Sequence, residues 1–194
     1  ASINRTYNSG FVFSNTRGAW LANSKTADRT YKGNTLTENG TVPTAAVASG
    51  AELVAYGPYT TSNYFSRAAD ADWASIGDNS VYMSVWFKSA GNSAFEEYVT
   101  LRKASPPVRI DIYMTAGGAV GFECFGDVAE VNINSTGTYD DGAWHKLDGV
   151  HVSSTLRHLY VDGVLVNSQT NDSGSLTGAE IVLGVGARGH NGDN

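Results

Sequence analysis

Six residues have the types and phase to do binding chemistry: Tyr82, Trp86, Arg109, Tyr113, Glu123 and Phe125. Each falls at the wetter position of an alternating run. Aromatic rings that can lie on a sugar face, with planar polar groups beside them, are what a glycan-binding surface requires. Protein interfaces favour the same Trp, Tyr and Arg, so coverage by an N-terminal arm or a neighbouring subunit is the competing reading. Nucleophilic chemistry finds no support. No G-x-S-x-G elbow occurs, His145, His151, His158 and His190 are scattered, and the glycines mark turns and not a phosphate-binding loop. Cys124 is in phase with Val120 and Phe122, as a small core residue would be. It is the only cysteine, so it forms no internal disulfide, and no Cys/His group of zinc spacing surrounds it.

These residues must be positioned by strands. From Ser80 to Ser89, Val81, Met83, Val85 and Phe87 share one face, with Tyr82, Ser84, Trp86 and Lys88 on the other. Val108, Ile110, Ile112 and Met114 oppose Arg109, Asp111, Tyr113 and Thr115, and Val120, Phe122 and Cys124 oppose Gly121, Glu123 and Phe125. Successive side chains of a strand point to opposite faces, so each run has a core face and a wetter one. Gly117-Gly118 reads as the hairpin turn between the last two runs. Asp162-Gly163, flanked by Tyr160-Val161 and Val164-Leu165-Val166, reads as a two-residue hairpin of the primed type. Further short strands fall at Trp144 to Val152 and Glu180 to Gly186, and a helical turn fits only around Ala68 to Ala74. The pattern predicts an all-β, two-sheet jelly-roll sandwich. Residues 1–51, dense in Asn, Ser, Thr and Gly, are expected to form an extended arm or the opening strands, and 52–194 the jelly roll.

Composition narrows the function classes. Hydrophobic residues make up 41% of the 194, which suits a folded chain, and charged residues only 16%, against roughly 25% in average proteins. A net charge of −6 argues against a nucleic-acid partner. No apolar run approaches the ~18 residues of a membrane-spanning helix. The chain starts at Ala1 without a signal segment, which reads as a processed chain or a piece of a longer one. A lone cysteine fits assembly in a reducing cytoplasm.

Two motifs carry a resemblance. Asp141-Gly-Ala-Trp144-His145-Lys-Leu147, followed by Leu156-Arg-His-Leu-Tyr160-Val-Asp162-Gly163-Val-Leu-Val166, resembles the laminin-G-like/pentraxin-like branch of the concanavalin A-like lectin/glucanase superfamily. Ser80 to Lys88 is similar to that branch's strand ending in tryptophan and lysine, and Ile181-Val-Leu-Gly184-Val-Gly186 to its late I-G-x-x strand. The resemblance implies a concanavalin A-like fold and leaves function open, because the fold serves lectins, adhesion modules and hydrolases alike. Asn15 to Asn34, with Gly50 to Tyr56, is similar to an arm preceding such domains in tailed-bacteriophage virion proteins. That implies a non-enzymatic tail fibre, appendage or decoration made in the bacterial host cytoplasm and residing in the virion. Its partners would be other virion proteins, identical subunits in a homo-oligomer such as a trimer, and host surface glycans. A carbohydrate-binding or adhesion module of a longer secreted bacterial protein is the alternative, and a glycan hydrolase is the third reading.

The glucanase side of the superfamily places paired carboxylates as E-x-D-x-x-E, since retaining hydrolysis needs two about 5 Å apart. Glu123, Asp127 and Glu130 have the wrong spacing, and Glu96 and Glu97 are adjacent and so point apart. His145, within the signature, is expected to be a structural hydrogen-bonding residue. Relatives often hold calcium at a sandwich edge, which makes Asp70, Asp72, Asp127 and Asp193 (with Asn191) the candidate ligands. The competing reading of all of them is solvated loop carboxylates. The family's closing strand is missing after Gly189 to Asn194, so the jelly roll is expected to be cut short or completed by another segment.

Overall fold

The computed structural model describes residues 16–20, 24–30, 32–50, 54–68, 81–91, 94–103, 108–176 and 182–186. Their strands are β1 (Thr37–Asn39), β2 (Thr44–Ala46), β3 (Val54–Tyr56), β4 (Tyr64–Arg67), β5 (Val81–Phe87), β6 (Glu96–Lys103) and β7 (Val108–Met114). They continue as β8 (Ala119–Phe125), β9 (Glu130–Thr138), β10 (His145–Ser153), β11 (Leu156–Val161), β12 (Val164–Gln169) and β13 (Val182–Val185). No helix occurs among the described residues; the helical turn expected around Ala68 to Ala74 falls almost wholly outside them. One sheet has seven strands in the order β1-β4-β13-β6-β7-β8-β9, and the other has four in the order β12-β11-β10-β5, while β2 and β3 form a separate pair. The architecture is the expected all-β sandwich.

Alternation in the sequence becomes two layers of packing. Ile110, Ile112 and Met114 of β7 and Val120, Phe122 and Cys124 of β8 are almost wholly buried, as are Met83 and Phe87 of β5, Leu147 of β10 and Leu159 and Val161 of β11. Cys124 is the buried core residue its phase implies, and burial pushes its thiol up to about 12. The sheets approach closely at Gly149 of β10, where a Cβ would come within 2.4 Å of the Phe122 ring. Glycine there lets a full aromatic ring from one sheet rest on the backbone of the other.

Both hairpins form where the sequence marks them. Gly118 donates to the Thr115 carbonyl at 3.0 Å and Thr115 to that of Ala119 at 2.8 Å, closing β7 onto β8. Asp162 and Gly163 have φ of 51° and 79°, the two positive angles of a type I′ turn joining β11 to β12.

Within the expected arm, the stretch from Leu36 onward joins the sandwich. β1 pairs antiparallel with β4 at the rim of the large sheet, and Leu36 and Val42 are buried in the common core. The Asp28 carboxylate organises the segment before it, accepting N–H bonds from Ala19 at 2.9 Å, Thr30 at 2.9 Å and Asn34 at 2.8 Å. Leu36 to Val42 thus pack as opening strands of the sandwich, one of the two readings of residues 1–51.

Candidate functional site

The exposed face of the four-stranded sheet is built on β5 and β10. Trp86 lies opposite Lys146, Ser84 opposite Asp148 and Tyr82 opposite Val150, and Asp148 faces Tyr160 of β11 on its other side. Trp86 and Tyr82 are 62% and 60% exposed, rare values for such large rings. They stand four residues apart on one face of a strand, about 13 Å at a rise of ~3.3 Å per residue.

Between the rings lies a closed polar group. Lys146 Nζ donates to both Asp148 oxygens, at 2.7 and 2.9 Å, and to the Tyr82 hydroxyl at 3.2 Å. The Tyr82 hydroxyl donates in turn to Asp148 Oδ1 at 2.6 Å. Burial opposes ionisation of Asp148, but hydrogen bonds from Lys146, Ser84 and Tyr82 outweigh it and hold the carboxyl below its ordinary range. Burial likewise opposes charging of Lys146, and its bonds to Asp148 and Tyr82 raise it nonetheless. The result is an ionised, mutually neutralised pair beneath two open rings.

The other four predicted residues lie elsewhere, on the larger sheet. Arg109 and Tyr113 on β7 and Glu123 and Phe125 on β8 belong to the outer face of the seven-stranded sheet, with Arg109 opposite Phe125 and Asp111 opposite Glu123. Period-two alternation tells which side of a strand is wet, not which sheet the strand joins. Nor is this second face open. Asp111, Tyr113 and Glu123 are only 2%, 4% and 6% exposed. Arg109 Nε lies 2.7 Å from Asp111 Oδ2, its guanidinium pairs closely with Glu123, and Glu130 lies 3.8 Å away. Thr100 donates its hydroxyl to Asp111. Burial first, and then the charge of Glu97, keep the Asp111 carboxyl well above its ordinary value. Tyr113 donates to Asn134 at 2.8 Å and is stacked by Phe95, so this face is a closed polar network.

Lys146, Asp148 and Asp111 were not among the residues singled out from sequence. The signal was present for Asp111, which shares the phase of Arg109 and Tyr113. Lys146 and Asp148 share one face of β10 by local spacing, but their place beside Trp86 and Tyr82 depends on β10 lying beside β5, which no local pattern encodes.

His145 ties the two sequence signatures together. Its Nδ1 lies 2.8 Å from Asp162 Oδ2 and its Nε2 3.2 Å from Asp141 Oδ1, and Asp162 also accepts the Lys146 N–H at 2.8 Å. Burial lowers the affinity of the ring for a proton, but the bonds to Asp162 and Asp141 prevail and raise it above the ordinary histidine value. A histidine raised on folding stabilises fully below its unfolded pKa of about 6.5, and the contribution fades as pH rises through the higher folded value. The stability gap between the native chain and His145→Gln is therefore expected to be larger near pH 6 than near pH 9. Urea midpoints at both pH values measure it, and a gap independent of pH refutes the assignment.

Of the calcium candidates, Asp127 lies in the loop after β8, where Oδ1 accepts the Ser175 N–H at 2.7 Å. Among the described residues no group of three or more His, Cys, Asp or Glu is placed to hold a metal. Asp70, Asp72, Asn191 and Asp193 fall outside the described residues, as does the stretch from Gly189 to Asn194.

The fold has known counterparts. Domain 4 of AbnA, an extracellular GH43 arabinanase of Geobacillus stearothermophilus solved in complex with arabinotriose, aligns over 87% of this chain and 84% of its own, at 18% identity and a TM-score of 0.60. The binding domain of Paraclostridial Mosquitocidal Protein 1 aligns over 87% of this chain, at 11% identity and a TM-score of 0.62. Domains LG4-5 of the mouse laminin alpha1 chain align over 60%, at 13% identity and 0.50. The chain spans 46% of the mosquitocidal binding domain and 30% of the laminin fragment. No curated protein matches the sequence. A laminin G family model described as the concanavalin A-like lectin/glucanases superfamily matches residues 59–194. That match takes in most of the chain, including both strands that His145 joins, and the chain belongs to this superfamily.

Proposed function

We propose that this domain is a non-enzymatic glycan-binding module that acts at the surface of a tailed-bacteriophage particle. The observation that carries the binding role is the pair of open rings, Trp86 and Tyr82, set over the neutralised Lys146–Asp148 pair. A domain of the same fold holding arabinotriose supports the choice of ligand class. The particle context rests on the similarity of residues 15–34 and 50–56 to virion-protein arms. In that setting the domain is made in the host cytoplasm, assembles with other virion proteins and with copies of itself, and gains avidity from repeated weak contacts. The hydrolase reading is disfavoured, because Asp111 and Glu123, though directly opposite each other, are buried and engaged by Arg109.

Trp86→Ala is expected to weaken glycan binding at least tenfold, about 1.4 kcal/mol, with no loss of stability, because its ring is exposed. A glycan array followed by titration on native and variant chains tests it, with the unfolding midpoint as the folding control. Unchanged binding overturns the assignment of this face. Mass spectrometry of purified particles tests the setting: a chain that binds glycan and is absent from virions is the secreted bacterial module instead.

A further inference from the structure

We infer that the β5–β10 face selects neutral oligosaccharides over anionic ones and needs a ligand long enough to cover both rings; this rests on the glycan-binding reading above. The argument is one of donors and acceptors. An ammonium group has three N–H donors. Those of Lys146 all go to Asp148 Oδ1, Asp148 Oδ2 and the Tyr82 hydroxyl. The Tyr82 hydroxyl hydrogen goes to Asp148, and Ser84 also hydrogen-bonds to Asp148. The donors of Lys146, Tyr82 and Ser84 are thus consumed within the protein, and what exposed Tyr82 and Ser84 leave to a ligand between the rings is oxygen lone pairs. Sugar hydroxyls can donate to such oxygens. Between the rings a carboxylate, sulfate or phosphate would meet acceptors, with the Lys146 charge already offset by Asp148.

Length follows from strand geometry. Rings at positions 82 and 86 are about 13 Å apart along the strand, so one pyranose cannot stack on both. A ligand that gains from both must run along β5 as a chain, over Ser84. Lys88, exposed and next in phase beyond Trp86, is the cation an anionic ligand would use instead.

The test titrates the purified chain with neutral gluco- and arabino-oligosaccharides, from monosaccharide to pentasaccharide, and with uronic-acid and sialylated oligosaccharides, at low and high salt. Neutral ligands are expected to bind with little salt dependence, the pentasaccharide at least tenfold tighter than the monosaccharide. Tyr82→Ala should remove most of that length-dependent gain. Tighter binding of the anionic set, weakened by salt and lost in Lys88→Ala, overturns the inference while leaving the glycan reading intact. A monosaccharide that binds as well as the pentasaccharide overturns the two-ring span. Failure of every glycan to bind overturns the glycan reading itself, and this inference with it.

Discussion

Arg109→Met is expected to destabilise the domain by about 3–5 kcal/mol at neutral pH, the usual cost of removing one partner from a buried ion pair. The guanidinium lies between Asp111 and Glu123, which face each other across β7 and β8 and are nearly closed to water. Asp111 already resists ionisation, because it is buried and lies near the charge of Glu97. Without the cation, Glu123 loses its counter-charge as well, and the fold must hold a buried charge or take up a proton. That gives the effect a sign with pH. A carboxyl whose folded pKa is raised opposes folding above its unfolded value of about 4, increasingly up to the folded value. The deficit of the variant should therefore shrink between pH 7 and pH 5. Denaturant unfolding at both values decides it; a deficit under about 1 kcal/mol, or one that does not change with pH, refutes the account.

Arg157→Leu is expected to cost about 3 kcal/mol, for a different reason. Arg157 is wholly buried and has no carboxylate among its hydrogen-bond partners; Nη1 donates to the Asn171 carbonyl at 2.7 Å and Nη2 to that of Ser154 at 2.6 Å, with the Ser173 hydroxyl alongside. Buried acceptors stripped of their donors cost about 1–3 kcal/mol each. The same fork seats residues 171–175 against the loop after β8, where Gly126 leaves room for the Ser173 and Ser175 carbonyls and Asp127 takes the Ser175 N–H. Loss of the fork should thus appear twice: as a lower unfolding midpoint and as faster proteolysis between residues 170 and 176. Arg157→Lys, with one point charge in place of a fork, should fall between. Native-like proteolysis of Arg157→Leu would show that the segment is held by other contacts.

Much of this fold is legible in the sequence, because alternation is local. Ile110, Ile112, Met114, Val120, Phe122 and Cys124 are core residues on phase alone, and Asp162-Gly163 could hardly be anything but its turn. Arg157 shows what such a reading overlooks even when the signal is there: it shares the inward phase of Leu159 and Val161, and an arginine at such a position must be buried with partners. The site was half legible. Trp86 and Tyr82 are identified by phase and type, but the polar pair that completes their face comes from a strand some sixty residues away. Pairing across that distance is decided by the packed whole, and so is the sheet to which Arg109 and Glu123 belong.

The strand order of the large sheet bears on how the chain is made. β1 and β4 pair with each other, but they reach β6 through β9 only by way of β13, which lies between β4 and β6. Synthesis delivers the strands in sequence order, so the first-made edge must wait, its backbone groups unmatched, until residues 182–185 emerge. Such distant closure slows folding and exposes strand edges on the way. During translation, the half of the sheet around β4 is the part most in need of protection from pairing with another nascent chain.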